Sequence, residues 1–192
     1  MAASPATLSP VPFWFLRHGE TDWNAQNLSQ GSVDIPLNAA GLAQAHSAAA
    51  LLRNRGIRTI VASPLGRAHV TAEIAAASLG LPFSTEATLR EVAFGVMEGQ
   101  PMLADWFTQW VAGKYTPDGA ESFPDLTHRS VGAINLCTVH PAAVLVVAHG
   151  ALFRAIRAAM GLEPNFRTPN AVPILCTPPA PGGTVWTLNP VA

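Results

Sequence analysis

An arginine and a histidine stand together at the end of an apolar run near the start of the chain. Arg17 and His18 directly follow residues 13–16, and a short apolar run that is rich in aromatic residues predicts a buried strand. In open α/β sheets, ligands bind outside the carboxyl ends of the strands. A guanidinium group recognises phosphate oxygens, and a neutral imidazole is a nucleophile. The pair therefore predicts a histidine that acts on a phosphate.

The residues after His18 favour close contact with a ligand. Gly19 lets the backbone turn sharply or approach a bound molecule. Thr21 and Asn24 add neutral hydrogen-bonding groups nearby.

Two later segments repeat the arrangement of an apolar strand that ends in a polar ligand-binding group. His149 and Gly150 follow one such run, and Arg67 follows another and lies in the first turn of the next helix. The carboxyl ends of parallel strands meet at one edge of a sheet, and helix N-termini present free backbone N–H groups to anions. The sequence therefore predicts a phosphate pocket in which Arg67 and His149 join Arg17 and His18.

Strand and helix patterns alternate around these residues. Apolar runs predict strands at residues 13–16, 57–62, 81–84 and 142–148. Helical spacing and cap residues predict helices over residues 38–56, 63–80, about 123–138 and about 153–161. The alternation predicts an α/β fold, a three-layer sandwich whose mostly parallel central sheet is flanked by helices on both faces. Prolines within residues 171–188 predict that the last strands are short or lie at an edge.

The first two helices carry apolar residues at helical spacing. The residues concerned are Leu42, Ala45, Ala49 and Leu52 in the first helix, and Val70, Ile74 and Ala77 in the second. We expect each set to face the core.

Length and composition predict one domain over residues 1–192. The chain is 49% hydrophobic and 12% charged, which is enough to bury one sizeable core. Residues 1–11, with two prolines and no basic residue, are expected to form a loose N-terminal tail. Residues 97–122 hold a group of aromatic residues in a loosened pattern, which predicts a cap-like insertion.

Charge and hydropathy exclude several classes of partner. A formal net charge of -1 provides no field that would attract nucleic acid or an anionic membrane. No apolar run approaches the roughly 18 residues needed to span a bilayer, and residues 1–11 lack the features of a signal peptide. The two cysteines are too few for a disulfide framework. We therefore expect a cytoplasmic protein.

Six segments of the chain, taken in order, resemble the signature segments of the histidine phosphatase superfamily, specifically its phosphoglycerate-mutase-like branch. They are FLRHGETDWN, QGSVDIPLNAAGLAQA, SPLGRAHVTA, LREVAFGVMEG, PDGAES and VVAHGALFRAI. A lone RHG tripeptide recurs by chance, but six ordered segments are specific evidence. The resemblance covers roughly residues 13–158 and implies the phosphoglycerate-mutase-like fold.

The resemblance implies a role for each residue of the predicted pocket. His18 would be the nucleophile that attacks phosphorus and forms a phosphohistidine intermediate. For this its imidazole must be neutral, and nearby arginines disfavour the protonated form. Together with the nucleophile, the residues that hold the phosphoryl oxygens complete the catalytic set; these are Arg17, Arg67 and His149. Further phosphate or substrate contacts are implied for Asn24, Gln30, Gly31 and Gly150.

The residue implied as general acid and base is Glu91. It would protonate the leaving oxygen and then take a proton from the attacking water, so its carboxyl group must start protonated. Glu20, inside the RHGET string, is the alternative donor, but the family pattern favours Glu91.

This mechanism requires no metal and no other cofactor. Histidines outside the predicted pocket lie apart from one another, without the paired spacing of a zinc site; they are His46, His69, His128 and His140. We therefore predict no metal site.

Within the family, the choice of activity lies between hydrolysis and mutase chemistry. A mutase must retain a highly anionic bisphosphoglycerate, which requires cations beyond the phosphate pocket. Between Arg90 and Arg129 the only cation is Lys114. We therefore predict a metal-independent hydrolase of a small-molecule phosphomonoester. The alternatives are cofactor-dependent phosphoglycerate mutase activity and a non-catalytic phosphate-binding module.

Three properties stay open at this point. The family spans many phosphomonoesters, so the resemblance does not select a substrate. The aromatic residues of the cap either pack the core or contact substrate; they are Trp106, Phe107, Trp110 and Tyr115. A homodimer is common among relatives, and the sequence favours no oligomeric state.

Overall fold

Six strands form one mixed sheet in the computed structural model, which describes residues 7–102 and 105–191. They are β1 (Phe13–Arg17), β2 (Thr59–Ala62), β3 (Ser84–Thr85), β4 (Val144–Ala148), β5 (Ile174–Thr177) and β6 (Thr187–Pro190). Their order across the sheet is β3-β2-β4-β1-β5-β6. The first four are parallel, whereas β5 runs antiparallel to both β1 and β6. The predicted mostly parallel sheet is therefore confirmed.

The register of the two central strands aligns their carboxyl ends. In β1 and β4 every residue is buried, as expected for strands covered on both faces. Arg17 pairs with Ala148, and the backbone N–H of His18 donates to the Ala148 carbonyl at 3.0 Å. On the other side of β4, Ala62 pairs with Val147. The residues that follow these three strands are therefore neighbours at one edge.

Helices cover both faces of the sheet, as predicted. They are α1 (Asp22–Ala25), α2 (Ala39–Leu51), α3 (Gly66–Leu79), α4 (Asp105–Val111), α5 (Phe123–Thr138) and α6 (Gly150–Ala159). Phe13 and Phe15 of β1 belong to one core cluster with residues of α5 and α6, and Trp14 and Leu16 to another with residues of α2 and α3. The alternation of β1 side chains between faces thus joins two cores. No helix within the described residues has the length and apolar composition to cross a bilayer.

Most of the buried residues of α3 are alanines, and of the predicted stripe only the half-buried Ile74 packs against the core. Val70 and Ile74 are only half-buried and Ala77 is exposed. The residues that face the core include Ala68, Ala72, Ala75 and Ala76, because α2 and the sheet pack on this side with little space for larger side chains. In α2, Leu42 is exposed for the same reason, while Ala45, Ala49 and Leu52 are buried as predicted.

Two boundaries also differ from the sequence prediction. The helix expected from Ser63 begins at Gly66, with Leu65 as its N-cap. The Ser63 hydroxyl accepts from the Leu65 N–H at 3.3 Å and also bonds to His149. Residues 7–11, expected to be part of a loose tail, are packed onto the body. Leu8 is buried, and Asn135 on α5 accepts from the Ser9 backbone at 2.8 Å and donates to the Thr7 carbonyl at 2.9 Å. Residues 1–6 of the predicted tail lie outside the described residues.

Candidate active site

A cavity of about 390 Å³ opens where β1 and β4 end. Eight of the nine predicted site residues line it: Arg17, His18, Asn24, Gln30, Gly31, Arg67, Glu91 and Gly150. The ninth, His149, is fully buried beside His18, with ring centroids 5.3 Å apart. Glu20, the alternative proton donor, does not line the cavity, and its Oε1 accepts from Asn38 Nδ2 at 3.1 Å.

The imidazole of His18 is held as a neutral base. Its Nδ1 lies 2.7 Å from the carbonyl oxygen of Gly19. Because a carbonyl oxygen only accepts hydrogen bonds, Nδ1 carries the hydrogen and Nε2 keeps its lone pair. Burial lowers the pKa of His18 well below its ordinary value of 6.5, and the charges of Arg67 and Arg17 lower it further. A nucleophilic Nε2 is therefore available at neutral pH.

Side chains from α2, from α3 and from the irregular stretch before β5 fix the backbone around His18. Asn170 Nδ2 donates to the His18 carbonyl at 2.9 Å, and the Gly19 N–H donates to Thr71 Oγ1 at 3.1 Å. The Glu20 N–H donates to Gln44 Oε1 at 2.9 Å. These bonds fix the position of His18 in the folded chain.

Gly19 and Gly41 let α2 approach this backbone closely. A Cβ atom on Gly41 would lie 2.0 Å from the Glu20 carbonyl oxygen, and one on Gly19 would lie 2.3 Å from that of Gly41. Both distances are far below van der Waals contact. Glycine at each position is therefore a requirement of backbone packing.

His149 is buried beside His18 and does not line the cavity. Its Nε2 forms a 2.6 Å hydrogen bond with Ser63 Oγ, while its buried Nδ1 has no partner among the described residues. Burial lowers its pKa well below 6.5, and the charges of Arg67, His18 and Arg17 add to the effect. The structure thus places two neutral imidazoles side by side, and direct contact of His149 with a phosphate stays a prediction.

Arg17 is buried next to Gly150, at the N-terminus of α6. Its Nη1 donates to the Thr168 carbonyl at 2.6 Å, and its Nε is buried without a partner among the described residues. A Cβ atom on Gly150 would lie 3.2 Å from that Nε, so Gly150 leaves room for the guanidinium. Burial lowers the pKa of Arg17 to about 10, and the opposing charge of Glu91 limits the shift.

Arg67 is held by backbone carbonyl groups on the other side of the cavity. Its Nη1 donates to the Val33 carbonyl at 2.7 Å and its Nη2 to the Gly31 carbonyl at 2.8 Å. Asp34 lies 3.8 Å from Nη1. Burial lowers the pKa of Arg67, and Glu91 and Asp34 act in the opposite direction. Two guanidinium groups held by backbone carbonyls therefore line the cavity together with His18.

Glu91 caps the start of α6. Its Oε1 accepts from the N–H groups of Val92 at 3.1 Å and Leu152 at 2.9 Å, and its Oε2 accepts from that of Ala151 at 3.0 Å. The N-cap residue His149 makes no capping bond with its own side chain. Glu91 therefore satisfies N–H groups that a helix N-terminus leaves free, which fixes a carboxylate in the cavity wall.

The neutral residues at the mouth are placed as predicted. Asn24 Oδ1 accepts from Asn170 Nδ2 at 3.2 Å and from the Thr21 N–H at 3.3 Å. Gly31 has a φ of +56°, a conformation that favours glycine. Gln30 Oε1 is buried without a partner among the described residues.

The four cap aromatics differ in whether they pack the core or line the cavity. Trp106 and Trp110 are buried in a cluster with Phe94, so they pack the cap. Phe107 belongs to the same cluster and also lines the cavity. Tyr115 is exposed and does not line it.

In residues 7–102 and 105–191, no group of three or more His, Cys, Asp or Glu side chains is arranged to hold a metal ion. The site is built instead from imidazole, guanidinium, amide and carboxylate groups around one cavity. This set can bind a phosphate, attack it and exchange a proton with it.

Comparison with known proteins identifies the family. The sequence model of the histidine phosphatase superfamily (branch 1) matches residues 13–173. The chain belongs to this superfamily. A probable phosphoglycerate mutase, GpmB of Yersinia pestis (strain Pestoides F), is 40% identical over 148 residues, which are 71% of this chain and 68% of that protein.

Solved structures of two phosphatases superpose on the chain. A mycobacterial glucosyl-3-phosphoglycerate phosphatase in complex with VO3 has a TM-score of 0.81 and 28% identity, over 93% of this chain and 97% of that one. A mutant phosphoserine phosphatase from Entamoeba histolytica has a TM-score of 0.77 over 92% of this chain and 94% of that one. At 22% identity, this second likeness is one of fold.

Sequence reasoning missed two cations of this histidine phosphatase. Arg154 on α6 and Arg167 in the segment before β5 line the cavity with Phe107; we call these three residues the outer wall. The prediction from the sequence considered only the cations of the cap, and these two arginines lie outside it. The cap residues 97–122 contribute no described cation to the lining, as expected, but other parts of the chain do. Arg154 stands inside the segment VVAHGALFRAI, three residues after cavity-lining Ala151, so helical periodicity was a usable signal.

Sequence reasoning also missed the residues that hold the pocket from behind. Ser63 bonds to His149, Asp34 pairs with Arg67, and Asn170 bonds to His18 and Asn24. Ser63 and Asp34 lie within segments that resemble the family. Asn170 lies beyond the last of these segments, in an irregular stretch with no pattern of its own.

Proposed function

We propose that this histidine phosphatase hydrolyses a small-molecule phosphomonoester through a phosphohistidine intermediate on His18. The state of His18 carries the proposal. Its hydrogen bond to the Gly19 carbonyl places the lone pair on Nε2, and burial beside Arg17 and Arg67 keeps the ring neutral. A neutral imidazole next to two guanidinium groups is suited to attack a phosphate anion.

In the first step, His18 Nε2 attacks phosphorus while the bond from phosphorus to the ester oxygen breaks. Arg17 and Arg67 bind the phosphoryl oxygens, and their fixed positions stabilise the charge that is redistributed during transfer. The leaving oxygen takes a proton from Glu91. The products of this step are the free alcohol and phosphohistidine.

The hydrogen bonds of Glu91 indicate which oxygen carries that proton. Each carboxyl oxygen has two acceptor sites. Oε1 already accepts two backbone N–H bonds, whereas Oε2 accepts one, from Ala151. The open site on Oε2 is therefore the one we assign to the transferred proton. In the second step, water attacks phosphorus and gives a proton to this oxygen while the bond from phosphorus to His18 Nε2 breaks, which releases inorganic phosphate and restores the neutral imidazole.

Similarity to a phosphatase supports hydrolysis. The mycobacterial structure that superposes over 93% of the chain at 28% identity bears the name of a phosphatase. Mutase activity is the second candidate, because a relative at 40% identity is named a probable phosphoglycerate mutase. The two arginines of the outer wall add cations that a bisphosphorylated intermediate needs.

A single assay separates the two activities. The purified protein is incubated with 3-phosphoglycerate, with and without bisphosphoglycerate, and in parallel with phenyl phosphate, all in buffer that contains EDTA. We expect release of inorganic phosphate in each case. Rapid interconversion of 2- and 3-phosphoglycerate with negligible phosphate release would instead establish a mutase, and loss of activity in EDTA would contradict metal independence.

Replacement of the nucleophile tests the mechanism. His18→Ala should abolish both turnover and the acid-labile phosphohistidine that rapid quenching traps from a labelled substrate. His140→Gln is the matched control, because His140 is exposed and distant from the cavity lining. Full activity in the His18 variant, or turnover without a trapped intermediate, would exclude this chemistry. Phosphate binding without turnover by the unaltered protein would identify a binding module.

We place this reaction in the cytoplasm. Cys137 and Cys176 are both buried free thiols, and burial raises the pKa of Cys137 to about 12, so neither depends on an oxidising compartment. Fractionation of cells that express the protein should recover it with cytoplasmic markers. Recovery in an exported fraction would contradict the assignment.

A further inference from the structure

The outer wall carries two positive charges that the phosphate chemistry does not use. Arg154 and Arg167 line the same cavity as Arg17 and Arg67. The four groups are close enough for Arg154 and Arg167 to lower the pKa of Arg17. In the whole lining, four arginines face two carboxylates, Glu91 and Asp105, although the chain as a whole has a net charge of -1. Positive charge is therefore concentrated in this cavity.

Both arginines are held by neutral groups. Arg154 Nη1 donates to Asn165 Oδ1 at 2.7 Å, and its guanidinium lies over the ring of Phe107, 4.9 Å from the centroid. Arg167 Nη1 donates to Asn27 Oδ1 at 3.4 Å. Within residues 7–102 and 105–191, neither arginine has a carboxylate within 4.0 Å. These contacts orient the two cations without neutralising them.

Arg129 provides the contrast within the same chain. Its guanidinium bonds to both carboxylate oxygens of Glu121, at 2.6 and 2.9 Å. Burial lowers the pKa of Arg154 to about 10; the charge of Glu91 acts in the opposite direction, and the like charges of Arg157 and Arg167 add to the lowering. Like charges held together without an anion repel each other, and an anion that enters between them removes that cost.

We propose that Arg154 and Arg167 bind a carboxylate of the substrate, so that the substrates are phosphomonoesters that carry a carboxylate group. This inference rests on the proposed phosphatase function. A planar carboxylate matches the planar fork of a guanidinium group. Arg67 already lies 3.8 Å from Asp34, whereas neither Arg154 nor Arg167 has a carboxylate within 4.0 Å among the described residues. The outer wall is therefore where a second anionic group of the substrate would be matched.

Two substrates that differ in one group test this inference. In 3-phosphoglycerate a carboxylate occupies the place that a hydroxymethyl group occupies in glycerol 3-phosphate. We expect the unaltered enzyme to have the higher kcat/KM for 3-phosphoglycerate. Hydrogen bonds to charged groups contribute enough that Arg154→Gln or Arg167→Gln should lower the ratio of the two kcat/KM values about 10- to 100-fold.

Arg157→Gln is the matched control. Arg157 lies on the same helix, donates to the Glu163 carbonyl at 2.9 Å and lies over Phe166, but it does not line the cavity. Its replacement should leave the ratio unchanged. Arg154→Lys keeps the charge but loses the planar fork, so it should restore part of the ratio. Arg167 is exposed, and its variant should fold even where one at Arg154 does not.

The outcomes separate this inference from the proposed function. Hydrolysis of both substrates with the same ratio in the unaltered, Arg154 and Arg167 proteins would overturn the carboxylate subsite and leave the phosphatase intact. Absence of hydrolysis, even of phenyl phosphate, would refute the phosphatase. Calorimetric binding of the same two compounds then decides the subsite, which requires tighter binding of 3-phosphoglycerate and loss of this preference in the arginine variants. A preference for bisphosphoglycerate over 3-phosphoglycerate would also overturn the single-carboxylate assignment.

Discussion

The floor of the cavity and its outer wall are built in different ways. We define the floor as Arg17, His18, Arg67 and His149. All four are buried, and the two arginines donate to backbone carbonyl groups. The arginines of the outer wall instead donate to side-chain amides, and Arg167 is exposed. Backbone contacts fix position more firmly than exposed side-chain contacts do, since fewer bonds must rotate to break them.

This difference separates chemistry from recognition. Transfer of a phosphoryl group needs donors that are already in place, because their reorganisation would add to the barrier. Recognition of the rest of the substrate tolerates adjustment, and binding groups are commonly held on loops carried by a rigid scaffold. We therefore expect floor variants to affect all substrates and wall variants to change the preference among them.

Glu91→Gln should produce the largest effect, because it removes the proton that the floor needs but leaves the arginines. For alkyl phosphates, kcat/KM should fall about 10²- to 10⁴-fold, the usual contribution of general acid catalysis. For 4-nitrophenyl phosphate the fall should be much smaller, since that leaving oxygen departs without a proton. Since kcat/KM reports steps up to the first irreversible transfer, steady-state kinetics with both substrates check this prediction.

Glu20→Gln is the control for this prediction. Glu20 lies in the RHGET string but bonds to Asn38, outside the cavity lining. Its replacement should leave the dependence on the leaving group unchanged. An equal loss for both substrates in the Glu91 variant would indicate that Glu91 acts only as the cap of α6, through its bonds to Ala151 and Leu152.

Gly41→Ala should displace the backbone next to His18, and it changes no residue that lines the cavity. The added methyl group would lie 2.0 Å from the Glu20 carbonyl oxygen and 2.7 Å from the Glu20 nitrogen, and neither backbone atom can move away independently. Overpacking of this kind costs about 1–3 kcal/mol. Urea denaturation should measure this loss, and turnover should fall for every substrate because the backbone next to His18 shifts.

Gly132→Ala is the matched control for Gly41→Ala. Gly132 lies inside α5, and an added Cβ there would meet nothing within 4 Å. Alanine is favoured over glycine in a helix interior by about 0.5–1 kcal/mol, so this variant should gain stability. Equal stability in the two variants would show that the contact between α2 and the backbone of residues 19–20 is not tight.

The floor was predictable from the sequence because each of its residues lies at the carboxyl end of a strand or shortly after it. Arg17 and His18 follow one apolar run, and His149 follows another. The rule that parallel strands end at one edge then brings these groups together without knowledge of any side-chain contact. The confirmed sheet has β1 beside β4, so this inference needed only the strands and their direction.

The outer wall and the alanine stripe were not predictable in this way. Arg167 lies in an irregular segment with no periodicity, and only tertiary folding brings it to the cavity. In α3, hydropathy favoured Val70 and Ile74, but close packing against α2 and the sheet selects the alanines. Hydropathy ranks residues by transfer from water, whereas space between packed elements decides which of them fit.

The pH dependence of stability should separate the buried histidines of the floor from the rest of the molecule. Burial keeps His18 and His149 neutral, so their pKa values are well below 6.5 in the folded protein, while the unfolded chain has histidine pKa values of about 6.5. Below pH 6.5 the unfolded state therefore binds more protons, and the free energy of unfolding falls as pH falls. Each histidine should contribute a slope approaching about 1.4 kcal/mol per pH unit.

Urea denaturation between about pH 6.5 and 5 should show a smaller slope in His18→Asn and in His149→Asn, and the smallest in the double variant. A slope in the double variant equal to that of the unaltered protein would mean that both imidazoles take up protons in the folded state, and His18 would then lose the Nε2 lone pair over the same pH range.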